Sequence, residues 1–246
     1  GADGCPAGWL AVAMPPGSPG RAEARIVATA ADLLALGAPV AIDVPIGLMN
    51  AAGERRPADL CARASLKRSA QDDDVRSGSP ESRVFLAPTR AHLAAFRREP
   101  NWSRFREGFA AGHGISVQAF NICRKIDEAD RLCRERPEAA VFEVHPEISF
   151  AHRAGRTLPP KAKPAGRAAR SDLLASLGFD LDALVAALGE KGRMAEGRRR
   201  PRWNTDDLLD ACIAAWSADR IARGIHAGLP NLTDTDSLGL RRVIHY

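Results

Sequence analysis

Aromatic side chains are scarce: one Tyr, four Trp and eight Phe make up 5% of 246 residues. A surface that grips single strands chiefly by stacking bases on rings is therefore not expected. No apolar run approaches the roughly 20 residues that a membrane-spanning helix needs, so no membrane partner is expected. Cysteine is sparse and scattered. Cys5, Cys61, Cys123, Cys133 and Cys212 are odd in number and contain no Cys-x-x-Cys pair. That argues against a disulfide framework and a structural zinc site, and fits a reducing, cytoplasmic setting. The opening Gly1-Ala-Asp-Gly-Cys5 has neither the basic nor the apolar region of a signal peptide. There is no internal repeat, and no clean domain boundary is visible.

What is present is an ordinary globular composition, 45% hydrophobic and 26% charged, with a formal charge of +5. The length suits one large domain, taken as residues 1–246. The charge is unevenly spread. Residues 52–106 hold twelve Lys/Arg against seven Asp/Glu, and residues 161–202 hold ten against five. The rest carries 13 basic and 18 acidic residues, a local −5. Basic segments of this kind suit an anionic partner, and equally suit a solvated face.

Hydrophobic patterning predicts an α/β fold. Gly1-Ala-Asp3 reads as the end of a strand, with Gly4–Gly8 as the turn that follows it. Trp9–Met14 and Ala24–Ala28 read as two strands joined by the Pro/Gly-rich segment Pro15–Gly20. Thr29 caps a short helix stopped by Gly37, and Pro39–Val44 is a buried strand carrying one acid. Residues 50–135 look predominantly helical, broken by a polar loop at 71–80, and are read as an insertion or cap within the single domain. Ala139–Val144 is a further buried strand. Ser171–Ala187 is predicted as one helix, Gly192–Pro201 as a basic loop, and Asn204 or Thr205 as the cap of a helix running to about Gly224.

The chemistry is expected from acids in apolar surroundings: Asp3, Asp43, Glu143, and the pair Asp207 and Asp210, which lie three apart on one helix face. A buried carboxylate without a partner is costly, and several together repel unless a divalent cation neutralises them. Carboxylate oxygens are the donors that Mg²⁺ and Mn²⁺ prefer. Each acid also has a plainer alternative. Asp207 suits a helix N-terminus by itself. Asp3 suits a turn before Gly4, and Glu143 suits an ion pair with an arginine.

Four blocks, Gly1–Trp9, Ala41-Ile-Asp-Val-Pro-Ile-Gly-Leu48, Glu143-Val-His-Pro-Glu147 and Asp206-Asp-Leu-Leu-Asp-Ala211, resemble the signature blocks of an uncharacterised family described as predicted RNase H-like nucleases. The layout is also similar to the Holliday-junction resolvase branch of the RNase H superfamily. The resemblance implies a mixed five-stranded sheet flanked by helices, with a large helical insertion between strands 4 and 5. It implies that Asp3, Asp43, Asp207 and Asp210 hold two Mg²⁺ or Mn²⁺ ions, with Glu143 an additional catalytic acid. It implies hydrolysis of a nucleic-acid phosphodiester by a two-metal route, and a homodimer. Two departures stand out: the fourth-strand acid is Asp where resolvases more usually have Glu, and the insertion at 50–135 is far longer than a single helix.

Further residues are expected to contact substrate: Arg90 and Lys125 from the insertion, with Phe85–Arg90 and Gly114–Gln118 lining a cleft; His145 and Glu147 after the fifth strand; and Lys163, Arg198, Arg199 and Arg200 from the basic segments Lys161–Arg167 and Gly197–Arg202. Phosphate contacts of this kind position a backbone without reading its sequence. A structural histidine and solvated loops are the alternatives. Two other functions stay open: a non-catalytic RNase H-like binding module, and a nucleotide-dependent phosphotransferase. The second is disfavoured because the actin-like kinases, which also open with an Asp-Gly turn, need two such halves.

Overall fold

The computed structural model describes residues 1–70, 79–189, 202–231 and 234–246. Strands β1 (Ala2–Cys5), β2 (Gly8–Ala13), β3 (Glu23–Val27), β4 (Val40–Ile42) and β5 (Val141–Glu143) form one mixed sheet in the order β3-β2-β1-β4-β5. The first three strands are antiparallel; β4 runs parallel to β1, and β5 parallel to β4. Strand β1 thus stands at the junction between the two halves of the sheet. The sequence places Asp3 at the end of its strand, but β1 continues to Cys5, which pairs with Gly8. The connecting turn shrinks to Pro6-Ala7.

Both faces of the sheet are covered, and the period-2 alternation of side chains assigns residues to each. Ala2, Trp9, Ala11, Val40 and Ile42 face one core. It is closed by α5 (Cys123–Glu135) and by Leu93 of α2 (Arg90–Arg98), both drawn from the 50–135 segment. That segment also contains α1 (Pro57–Arg68), α3 (Trp102–Glu107) and α4 (Val117–Asn121), in keeping with its helical reading. Cys5, Leu10 and Val12 face the other way, against α7 (Pro164–Ser176), α8 (Leu181–Leu188) and α9 (Thr205–Ala222). Helix α6 (Pro146–Ala154) follows β5 and packs with α1.

Helix α9 lies across β1, β2 and β4. It is apolar nearly all round, with Leu208, Leu209, Ala211, Cys212, Ile213, Ala214 and Ala215 all buried. Burial of each leucine or isoleucine contributes roughly 1.5–3 kcal/mol, which fixes this helix, and whatever acid it carries, firmly against the sheet.

Two expectations are corrected. The single helix over Ser171–Ala187 is two, because Gly178 (φ +98°) turns the chain and Asp180 caps α8 by accepting from the Ala183 N–H at 3.0 Å. A small second sheet, β6 (Gly228–Leu229) with β7 (Ile244–His245), has no counterpart in the sequence reading. The expected loop at 71–80 and the basic loop Gly192–Pro201 fall largely or wholly outside the described residues. Among the described residues no helix is long and apolar enough to cross a membrane.

Candidate functional site

The register of the parallel pair builds the site. Ala2 is level with Ile42, and the Asp43 N–H donates to the Ala2 carbonyl at 3.1 Å. Asp3 and Asp43, each one residue further on, therefore sit side by side at the end of adjacent strands. Alternation turns both towards α9, because Ala2 and Ile42 face the opposite core. Helix α9 then brings Asp210 beneath them, with Asp207 one turn nearer its N-terminus.

The electrostatics record this convergence. Burial holds the Asp3 carboxyl well above the usual carboxylate range, and the charges of Asp43, Asp210 and Asp207 push it further. Asp43 is raised in the same way, by burial and then by Asp210. Asp210 is raised by burial against the pull of Lys161. Asp207 is pushed up to about 6, again by burial, while its hydrogen bond from the Asn204 N–H acts the other way. That bond, at 2.8 Å, is half of a capping box at the start of α9. The helix-end role foreseen as the plainer alternative for Asp207 is therefore real, and it coexists with a place in the acid group.

A cation sits among the acids. Lys161 donates from Nζ to Asp210 Oδ2 at 2.6 Å. Burial works against its charge, but Asp210, Asp43 and Asp3 hold it protonated above the ordinary lysine range. Its side chain is 44% exposed, so the ammonium has a route out to solvent. Two polar atoms nearby are buried with no partner: Asp210 Oδ1 and His145 Nδ1. Burial lowers His145 to about 4, with the Lys161 charge contributing, so its imidazole is neutral at pH 7.

Several expected residues are engaged elsewhere. Both oxygens of Glu143 accept from the buried Arg56 guanidinium, at 2.7 and 2.8 Å, and Oε2 also accepts from the Ile46 N–H. Asp59 completes this buried triad, 3.4 Å from Arg56. Glu143 is thus committed to an arginine, the alternative weighed for it, although its charge is still felt by Asp43. Glu147 is clamped between Arg83 and Arg170. Arg90 bonds Asp130 and Asp236, which is a structural junction. Lys125 lies on the opposite face of the sheet from the acids: Nζ is 4.6 Å from the Trp9 ring centre, and its side chain runs past Gly4, on the side of the first core. Lys163 is exposed at the start of α7, and Arg198, Arg199 and Arg200 fall outside the described residues.

Lys161, Arg56, Arg83 and Arg170 carry roles that the sequence reading did not single out. Arg170 is the fastener behind the site. It bonds Glu147 on α6, the Pro159 carbonyl at 2.8 Å and the Gly166 carbonyl at 2.7 Å. Gly166 allows this closeness, since a Cβ there would lie 2.1 Å from the Pro160 carbonyl oxygen. The loop carrying Lys161 is in this way pinned against α7.

A divalent ion fits this donor chemistry. Four carboxylates share one field, Asp210 keeps a buried oxygen without a partner, and neither Asp3 nor Asp43 has a side-chain hydrogen bond among the described residues. They are not drawn into a finished cage: among the described residues no three His, Cys, Asp or Glu side chains are gathered closely enough to hold a metal ion. The Lys161 ammonium takes part of the compensating role instead.

Fold and site together define an α/β protein with a five-stranded mixed sheet and an acidic group where two of its parallel strands, β1 and β4, end against the long helix. The chain belongs to a family described as proteins of unknown function, DUF429, whose model matches residues 1–235 and so spans Asp3, Asp43, Asp207 and Asp210. No curated protein and no solved structure matches it.

Proposed function

We propose that the chain is an RNase H-like, Mg²⁺- or Mn²⁺-dependent nuclease that hydrolyses a nucleic-acid phosphodiester. The observation that carries this reading is the side-by-side placement of Asp3 and Asp43 at adjacent strand ends, facing the helix that carries Asp210, whose charge raises both of them further. The strand order and the positions of these acids, on the first strand, after the fourth and on the last helix, support it further. Asp3, Asp43, Asp207 and Asp210 would hold the metal, whose contribution when bound is to activate a water and steady the leaving oxygen.

The chain's own part is positioning and charge. Arg56 holds Glu143, which ties β5 to the Ile46 N–H just beyond Asp43 and sets the height of that strand end. Arg170 and Gly166 hold the Lys161 loop in place. Once released from Asp210, Lys161 is available to meet a phosphate oxygen. The neutral His145 imidazole, with its free Nδ1, offers a hydrogen bond without adding charge.

One observation favours a second reading, a non-catalytic binding module: the Lys161–Asp210 pair already neutralises part of the acidic group. Incubation with single-stranded, duplex and branched DNA and RNA in Mn²⁺ separates the two. Cleavage abolished by chelation and by Asp43→Asn supports the nuclease. Cleavage that survives both, or none on any substrate, rejects it.

A further inference from the structure

A cavity of about 520 Å³ opens within the 50–135 segment, and none of Asp3, Asp43, Asp207 and Asp210 lines it. Cavities of roughly 300–1,000 Å³ are the usual size for small-ligand sites. Its walls differ in character. Phe85, Leu86 and Ile115 form an apolar side, drawn from the two segments that the sequence marked as cleft-lining. Arg55, Arg63 and Arg83 supply three guanidinium groups against a single carboxylate, Glu54.

The state of these groups is informative. Glu54 Oε2 is already occupied by the N–H groups of Asn50 and Ala51, at 2.9 and 2.7 Å. Arg63 and Arg83 each donate from Nη1 to a backbone carbonyl, of Val84 and of Leu158, both at 2.6 Å. These bonds fix the two guanidinium groups, and Arg83 is also paired with Glu147, 3.1 Å away. Neither Arg55 nor Arg63 forms an ion pair among the described residues. Arg83 gives Nη1 to Glu147 as well, but its Nη2 is buried with no partner. A buried guanidinium nitrogen left unsatisfied is costly. Three arginines along one cavity, two of them without an ion pair among the described residues, favour an anion that accepts paired hydrogen bonds, as phosphate does. Phe85, Leu86 and Ile115 in the same lining suit a flat ring joined to that phosphate.

We infer that this cavity is a nucleotide-binding site, separate from the acidic group, that takes one nucleobase against Phe85 and its phosphate on Arg55, Arg63 and Arg83. It stands on the cavity alone and does not depend on the nuclease proposal. The same chemistry serves a free mononucleotide or the 5′-phosphorylated end of a strand.

Calorimetric titration of the full chain in EDTA with adenosine 5′-monophosphate tests it, because no metal-dependent step contributes. Binding is expected with a Kd below about 1 mM, and weakened about tenfold by Arg55→Gln, as for loss of one charge-assisted contact. Arg55 is exposed, so this variant keeps the fold. Arg63→Gln, with its fold checked by circular dichroism, should show the same loss. Adenosine alone and inorganic phosphate alone should each bind more weakly than the nucleotide. Asp3→Asn should leave binding unchanged, which separates this site from the acidic one even where no nuclease activity is found. A 5′-phosphorylated dinucleotide that displaces the monophosphate identifies the strand end as the source. One that does not displace it identifies the free nucleotide, and either result supports the site. No binding at about 1 mM, equal binding by wild type and both arginine variants, or binding no tighter than phosphate alone overturns it.

Discussion

Lys161 and Asp210 form the only ion pair within the acidic group among the described residues, and it joins a buried carboxylate to a lysine that is 44% exposed. The pair leaves Asp210 Oδ1 unsatisfied, and among the described residues Asp3 and Asp43 have no side-chain hydrogen bond or ion pair. An ion entering here competes with the ammonium for Asp210. Lys161→Met should therefore lower, several-fold, the Mn²⁺ concentration that gives a half-maximal rise in Tm. An unchanged or higher concentration would show that Lys161 does not occupy metal-binding space.

The acids should cost stability in proportion to their charge. Asp3 is held above its ordinary value of 3.8, so the folded protein keeps this proton more tightly than the unfolded chain does. The cost is absent below about pH 3, where both states are protonated, and grows as pH rises from the ordinary value towards the folded-state value. In metal-free protein, Asp3→Asn should match wild type in Tm at about pH 3 and exceed it by a few degrees at about pH 8. Asp43→Asn should behave alike, and each should reduce any cleavage activity by about 10²–10³-fold. Differential scanning calorimetry across pH reads the first effect. A difference that shrinks with rising pH contradicts it.

Glu143 should behave as a structural group. Arg56→Met strands two buried carboxylates, Glu143 and Asp59, and should destabilise by about 3–5 kcal/mol in urea unfolding. Glu143→Gln should lower Tm while leaving the Mn²⁺ concentration dependence unchanged. A shift in metal dependence without a stability loss would return Glu143 to the metal site.

Gly166→Ala tests the pinned loop. The added methyl cannot sit 2.1 Å from the Pro160 carbonyl oxygen, so residues 159–161 must move. Lys161 moves with them and loses its 2.6 Å contact with Asp210. The variant should fold, with Tm lowered by a few degrees, and should mimic Lys161→Met in its Mn²⁺ dependence. Wild-type metal dependence would mean that the loop does not set the lysine.

The strands were legible because β2 and β4 are short apolar runs with clear stops, and the acids were legible because they interrupt such runs. Asp43 inside Val40–Val44 is the plainest case. Asn204 and Asp207 announced the start of α9 through a capping box. What was not legible was partnership. Nothing local to Glu143 points to Arg56, 87 residues earlier, and nothing near Asp210 points to Lys161, 49 residues earlier. The missed break at Gly178 has a different origin. Leu173, Leu174, Leu177, Leu181 and Leu184 keep a helical spacing across it because both helices, α7 and α8, turn their apolar sides to the same core. The segment Gly178-Phe-Asp180 held the stop and the next cap, and the leucine pattern outweighed them.

The covering of the sheet from both sides has a bearing on how the chain assembles. Strands β1, β2 and β3 pair with near neighbours and can form as soon as residue 27 is made. One of their faces then waits for α5, and the other for α9, which begins at residue 205. During synthesis Trp9 and Ala11 on one side, and Leu10 and Val12 on the other, are left open to water while most of the remaining chain emerges. Such distant closure slows folding and prolongs the life of sticky intermediates. The nascent hairpin is the stretch on which a chaperone would be needed, and removing residues 50–135 would leave it half uncovered for good.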